Sequence, residues 1–196
     1  EFDAAVMSFK TIINQDASHK EAHRNLAVVF HQKGRFDEAE DCFLKALELD
    51  PHYYDALMDL AVCFYEQKRE DEALSLVETA SAVEEKKLAP HFANTLLQLK
   101  HFSETVEELD NQFNNYSTSL NKLQDLLKSE QWVDYDDLEN ALNFSAPFCL
   151  ILQRKDLKEV QKQFITLLKT VLEKKYPQWF EVPRLEHPHK KGEKIR

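Results

Sequence analysis

Glycine is nearly absent, with two residues in 196, and proline is sparse, with six. Sheets need a reversal every few residues, and reversals favour Gly, Pro and Asn. A chain this poor in turn formers cannot supply the hairpins of a β-sandwich or barrel, so it is read as helices joined by short connections. Long apolar runs are missing too. None approaches the roughly 20 residues that a membrane-spanning helix needs, so no membrane partner is expected. Motifs of catalysis and cofactor binding are also lacking: there is no glycine-rich phosphate loop, no H-E-x-x-H, and no Ser-His-Asp or Cys-His spacing. No cofactor and no catalytic residue is therefore expected in this chain.

Positive charge is the next deficit. The formal net charge is -10. Residues 177–196 hold five Lys/Arg and three Asp/Glu, a balance of +2, so residues 1–176 carry -12. Such a body repels phosphate backbones, which argues against nucleic acid and for a basic protein or peptide partner. Cysteine is limited to Cys42, Cys63 and Cys149, none in a C-x-x-C pair. They fall among apolar helical positions and read as buried thiols of a reducing, cytoplasmic setting.

What the chain has in abundance is apolar residues, 43%, interleaved with 31% charged residues, the mixture of amphipathic helices. The pattern repeats at an offset of 34. Phe2, Ala5, Phe9, Ile13 and Asp16 return as Phe36, Ala39, Phe43, Leu47 and Asp50. Ala22, Leu26, Ala27 and Phe30 return as Ala56, Leu60, Ala61 and Phe64, while Ala39 and Ala46 return as Ala73 and Ala80. Each unit reads as two helices. The first carries Ala22, Leu26, Ala27 and Phe30 at helical spacing and stops at Gly34. The second starts with Asp37 as its cap, carries Ala39, Phe43, Ala46 and Leu47, and stops at Asp50-Pro51.

The run Leu26-Ala27, Phe30, Ala39, Phe43, Ala46, Pro51 resembles the tetratricopeptide repeat (TPR) family. The resemblance implies an all-α fold, a right-handed superhelix or α-solenoid whose usual role is to bind other protein chains. It is strongest over 20–53 and good over 54–85, where Val77 stands in the aromatic position; 1–19 read as the second helix of a truncated repeat. Residues 86–115 fit as a degenerate unit when Lys100-His101-Phe102 is set against Gly34-Arg35-Phe36, which places Ala93 at the small first-helix position and Thr105 at the second-helix alanine. The repeats thus cover 1–116.

Residues 117–176 lose the period but stay helical, as a capping or connector region. Leu120, Leu123, Leu126 and Leu127 form one stripe, Asp134–Leu142 a short helix, and 144–152 an apolar stretch around Pro147. Asp156 with Glu159 opens a helix through Lys175 whose inner face is Val160, Phe164, Leu167, Leu168, Val171 and Leu172. A solenoid needs such an end to cover its last apolar face. Residues 177–196, with Pro177, Pro183 and Pro188, read as an extended linker ending in Lys194-Ile195-Arg196. The order of repeats, Asn143–Phe148, connector helix and linker is similar to the region ahead of the catalytic domain in bacterial TPR glycosyltransferases of the O-linked N-acetylglucosamine transferase (SPINDLY-like) type. That similarity implies a fragment of a larger enzyme with the catalytic residues elsewhere, the alternative being a free-standing scaffold.

In TPR geometry the first-helix residues off the packing stripe line a concave groove. In this sequence those are Glu21, Arg24, Asn25, Val28 and His31, then Asp55, Met58, Asp59, Val62 and Tyr65. The transferases hold an acceptor backbone with an asparagine ladder at one of these positions. Asn25 matches it, Asp59 departs from it, and His91 is the third equivalent under the degenerate alignment. The departure favours a ligand bearing donors or positive charge. The pairs His19/His23 and His187/His189 read as surface or linker residues rather than metal ligands, and Asp136, Asp137 and Glu139 as a solvated helix face.

Overall fold

The computed structural model describes residues 2–98, 105–128 and 157–179. Among them are eight α-helices and no strand: α1 (Phe2–Gln15), α2 (Lys20–Gln32), α3 (Phe36–Leu49), α4 (Tyr54–Glu66), α5 (Glu70–Val83), α6 (Leu88–Leu97), α7 (Val106–Lys128) and α8 (Leu157–Lys175). A 3-10 turn, Pro177–Trp179, follows. The chain is an α-solenoid of antiparallel helical hairpins. The period is visible in the helix starts, since α2, α4 and α6 open at Lys20, Tyr54 and Leu88, 34 residues apart.

Small residues set how closely the paired helices approach. Ala27 and Ala39 of the α2/α3 hairpin and Ala61 and Ala73 of the α4/α5 hairpin are all fully buried in the core, as are Phe43 and Val77. Two repeated devices shape the connections. At the end of α2, Gly34 adopts φ 69°; its N–H donates to the His31 carbonyl at 2.8 Å and the Arg35 N–H to the Phe30 carbonyl at 3.0 Å. This is a Schellman stop. One repeat later Lys68 takes φ 65°, with Lys68 N–H to Tyr65 and Arg69 N–H to Phe64 at 3.0 and 2.9 Å. The second device is the tight turn between repeats, closed by N–H donation from His19, Tyr53 and Lys87 to the carbonyls of Asp16, Asp50 and Glu84.

Arginine then locks the hairpin. Arg69 stacks 3.8 Å above the Phe64 ring, pairs with Glu72 at 2.7 Å and reaches Glu40 of α3 at 2.6 Å. Arg35 likewise stacks on Phe30 and pairs with Glu38.

Three expectations are corrected here. Asp37 does not cap α3: Arg35 holds the cap position without a side-chain bond, and Asp37 lies in the first turn, where its charge still meets the positive end of the helix dipole. Thr105 is no second-helix core residue. It is exposed, and its hydroxyl caps α7 by accepting from the Glu108 N–H at 3.1 Å. Residues 177–179 turn rather than extend. The expected elements at 134–142 and 144–152, together with Cys149, Asp156, His187, His189 and 194–196, lie outside the described residues.

The 23-residue α7 runs unbroken across 116/117, burying Gln112, Tyr116, Leu120, Leu123 and Leu127 along one side. Helix α8 packs against α6 and α7. Its Leu167 and Val171 are buried, and Phe164 sits 5.7 Å from Phe92 and 6.5 Å from Tyr116, ring to ring. Burial among these rings pushes the Tyr116 hydroxyl well above the usual phenol range.

Two stability predictions follow from these contacts. Lys68→Gly removes a left-handed lysine and is expected to stabilise by about 0.5–1 kcal/mol, whereas Gly34→Ala loses about the same; urea unfolding midpoints measure both. Phe164→Ala removes the ring packed against Phe92 and Tyr116 and is expected to cost about 2–3 kcal/mol, below the span for a fully buried phenylalanine, read by thermal unfolding.

Candidate functional site

First helices of successive repeats lie side by side, so their outward residues form one continuous face. Two cross-links between α2 and α4 show this. Arg24 Nε donates to Asp59 Oδ2 at 2.7 Å, and His31 Nε2 lies 2.9 Å from Glu66 Oε2. Arg24 and His31 are two helical turns apart, as are Asp59 and Glu66. Between the pairs lie the half-buried Val28 and Val62. The face is thus a short apolar strip with charged ends.

Of the ten residues assigned to the groove from sequence, eight are on this face or its rim. Glu21 is exposed, while Arg24, Asn25, Val28, His31, Asp55, Asp59 and Val62 are half-buried. Met58 and Tyr65 are corrections: they are 2% and 6% exposed and belong to the core. Helix α4 buries nine of its residues, whereas α2, which also packs between two second helices, buries only Ala22, Leu26, Ala27 and Phe30. His91 is a further correction. Its Nε2 bonds the Glu85 carbonyl at 3.0 Å, as His23 Nε2 bonds the Ala17 carbonyl at 3.0 Å. His91 is therefore the counterpart of His23, two repeats on, and no third rung continues Asn25 and Asp59. The degenerate alignment shifted α6 by two residues, whereas the helix starts keep the full period.

Glu66, absent from the sequence assignment, belongs to the face. Its signal was available: it is the 34-residue equivalent of Gln32 and one helical position past the buried Tyr65. His19 precedes α2 as expected, with Nδ1 accepting from the Ala22 N–H at 3.3 Å and lying 3.1 Å from Glu21. No group of three metal-ligating side chains occurs among the described residues, and no described helix is long and apolar enough to cross a membrane.

The electrostatics centre on Asp59. Burial drives its carboxyl above the usual range, Arg24 offsets part of the rise, and neighbouring Asp55 adds to it. For Arg24, burial disfavours the charge, but the charge and hydrogen bond of Asp59 outweigh it, so the guanidinium is held more firmly protonated than usual. The pair is half-buried, with 28% and 27% of its side-chain surfaces exposed; exposed pairs are worth about 0–1 kcal/mol, and burial of Asp59 offsets part of what the pair gains. Asp55 and Asn25 are half-buried beside the pair, and the Asp55 charge acts on Arg24 as well as on Asp59.

Two grooves run along the opposite, second-helix side. One, of about 770 Å³, lies between α1 and α3 over His23 and Leu26; the other, of about 400 Å³, between α5 and α7 over His91 and Asn94. Cys42 edges the first. Burial raises the thiols of Cys42 and Cys63 to about 11, which favours the protonated thiol over the reactive thiolate at neutral pH.

Comparison with known proteins agrees with this geometry. Tetratricopeptide-repeat family models match residues 21–53 and 43–90, so the chain carries tetratricopeptide repeats. No curated protein sequence matches it. Among solved structures it is similar to MamA 41-end from Desulfovibrio magneticus RS-1, at 16% identity over 89% of this chain and 87% of that one, with a TM-score of 0.60. It is also similar to YrrB, a TPR protein with an unusual peptide-binding site, at 16% identity over 89% and 84%, TM-score 0.57. A further MamA structure shares 14% identity over 91% of each chain, TM-score 0.57. At these identities the likeness is one of fold. Tetratricopeptide repeats are protein–protein interaction modules, and residues 21–90 carry such repeats.

The raised Asp59 carboxyl generates a pH prediction. The folded state holds that proton more tightly than the unfolded chain, so Asp59 contributes a loss of stability that sets in above the unfolded value of about 3.9 and is complete above its folded pKa. Asp59→Asn abolishes the loss. Urea unfolding of both proteins from pH 3.5 upward is expected to show wild type losing stability relative to Asp59→Asn as pH rises through that window.

Proposed function

We propose that the α2/α4 face binds an extended peptide segment that carries positive charge. The observation that supports this reading is the makeup of the face: Glu21, Asp55, Asp59 and Glu66 surround the strip of Val28 and Val62, against Arg24 and His31. A peptide backbone laid on the strip gains apolar contact there, and Asn25 offers both a donor and an acceptor to its amides. Carboxylates at the ends attract cationic side chains and speed their approach. YrrB lends support as a protein of the same fold with a peptide-binding site.

The module's setting is a finer question. Its place ahead of a glycosyltransferase domain rests on the order of segments between Asn143 and Arg196 alone; a free-standing scaffold or adaptor rests on the interaction fold itself. The reading frame beyond Arg196 separates them: a strand opening a nucleotide-sugar-binding domain supports the transferase, and a stop codon contradicts it.

Binding is tested by fluorescence anisotropy with a labelled peptide of Arg-Ser-Gly repeats and its Glu-Ser-Gly counterpart. The basic peptide is expected to bind, more weakly as salt rises. Asp59→Lys combined with Asn25→Ala is expected to weaken it at least ~10-fold, a change of about 1.4 kcal/mol. Equal binding of the two peptides, or a double variant that binds like wild type, overturns the proposal.

A further inference from the structure

We propose that Arg24 is a built-in stand-in for the ligand's cation: in the unbound protein it occupies Asp59, and an arginine or lysine side chain of the bound peptide displaces it. This inference rests on the peptide-binding reading above and names the residue that selects the partner.

The first observation separates what builds the repeat from what does not. Structural devices recur at the repeat spacing: the left-handed stop at Gly34 and Lys68, the ring-stacked Arg35 and Arg69, the turns at Asp16, Asp50 and Glu84. The Arg24–Asp59 pair does not recur. The equivalent of Arg24 in α4 is Met58, a core residue, and that of Asp59 in α2 is Asn25. The fold therefore forms at other junctions without such a pair.

The second observation is geometric. Arg24 reaches Asp59 through Nε and a single carboxylate oxygen at 2.7 Å, where a fully engaged guanidinium grips both oxygens in a bidentate fork. The carboxyl retains acceptor capacity, and burial leaves it short of stabilisation, as its raised pKa records. Asp55 stands one helical turn away, and its charge acts on both Arg24 and Asp59. Two acidic groups at one spot with a single internal cation of modest grip suit a second cation better than a neutral or acidic ligand. Both Arg24 and Asp59 keep over a quarter of their side-chain surface exposed, 28% and 27%, so a ligand can reach the pair and Arg24 can swing into solvent.

The effect on affinity is set by occupancy. An internal competitor that fills the site for ~80–90% of the time lowers the apparent affinity about 5–10-fold, because only the vacated fraction is competent. Removing the competitor returns that factor.

The experiment uses the same Arg-Ser-Gly peptide with wild type, Arg24→Gln, and Arg24→Gln/Asp59→Asn. Arg24→Gln is expected to bind about 5–10-fold more tightly than wild type, with the gain lost in the double variant. On wild type, the Arg24 Nε–H resonance followed by NMR is expected to lose its protection from solvent exchange when the peptide is added; this readout stands even if the variant folds poorly. Wild-type binding that Arg24→Gln leaves unchanged or weakens, or an Arg24 Nε–H that stays protected in the complex, overturns the displacement while leaving peptide binding intact. Failure of both wild type and Arg24→Gln to bind overturns displacement and the underlying reading together.

Discussion

The constraint on which the rest of this structure depends is the small size of the alanines buried in each hairpin. Ala27 and Ala39 in one hairpin, and Ala61 and Ala73 in the next, are fully buried in the shared core. A larger side chain at any of them would force the axes apart, and interior packing tolerates little added volume. Close approach fixes the angle between helices, the angle repeats, and repetition brings α2 alongside α4. The face that carries Arg24, Val28, Asp59 and Val62 exists because four methyl groups leave room for it.

Repetition also divides labour among residues. Positions that recur at the period hold the backbone: glycine or lysine at the left-handed stop, arginine over phenylalanine, an acidic residue at the turn between repeats. Positions that differ between equivalent sites carry the individuality of the chain. Arg24 against Met58, Asn25 against Asp59 and His31 against Tyr65 are such differences; Arg24, Asn25, His31 and Asp59 fall on the face of the first helices, while Met58 and Tyr65 are taken into the core. The second-helix side shows partial repetition instead, with His23 and His91 fixed to equivalent turn carbonyls beneath two grooves.

Much of the fold was legible in the sequence because its core is periodic. The stripe from Ala22 to Phe30 and its echo from Ala56 to Phe64 needed no tertiary information, nor did the stop at Gly34. Legibility failed where local chemistry has two solutions. Thr105 fits a small core position or a helix cap, and only the start of α7 at Val106 decides it. His91 aligns with Asp59 or with His23 according to a two-residue shift, and the hydrogen bond to Glu85 decides that. Met58 and Tyr65 sit at face positions by helical spacing but are covered by neighbouring helices, a tertiary effect no single-helix pattern contains. The ion pair between Arg24 and Asp59 spans 35 residues and could be read only once the two helices were placed.

Val28 and Val62 offer the most direct test of where recognition occurs, since they lie at the centre of the proposed binding face and their methyl groups report contact without altering charge. Methyl NMR spectra recorded during titration with the Arg-Ser-Gly peptide are predicted to shift the Val28 and Val62 signals while those of Leu44 and Leu126, in the grooves of the opposite side, stay in place. Shifts confined to Leu44 or Leu126, with Val28 and Val62 unmoved, would contradict the account.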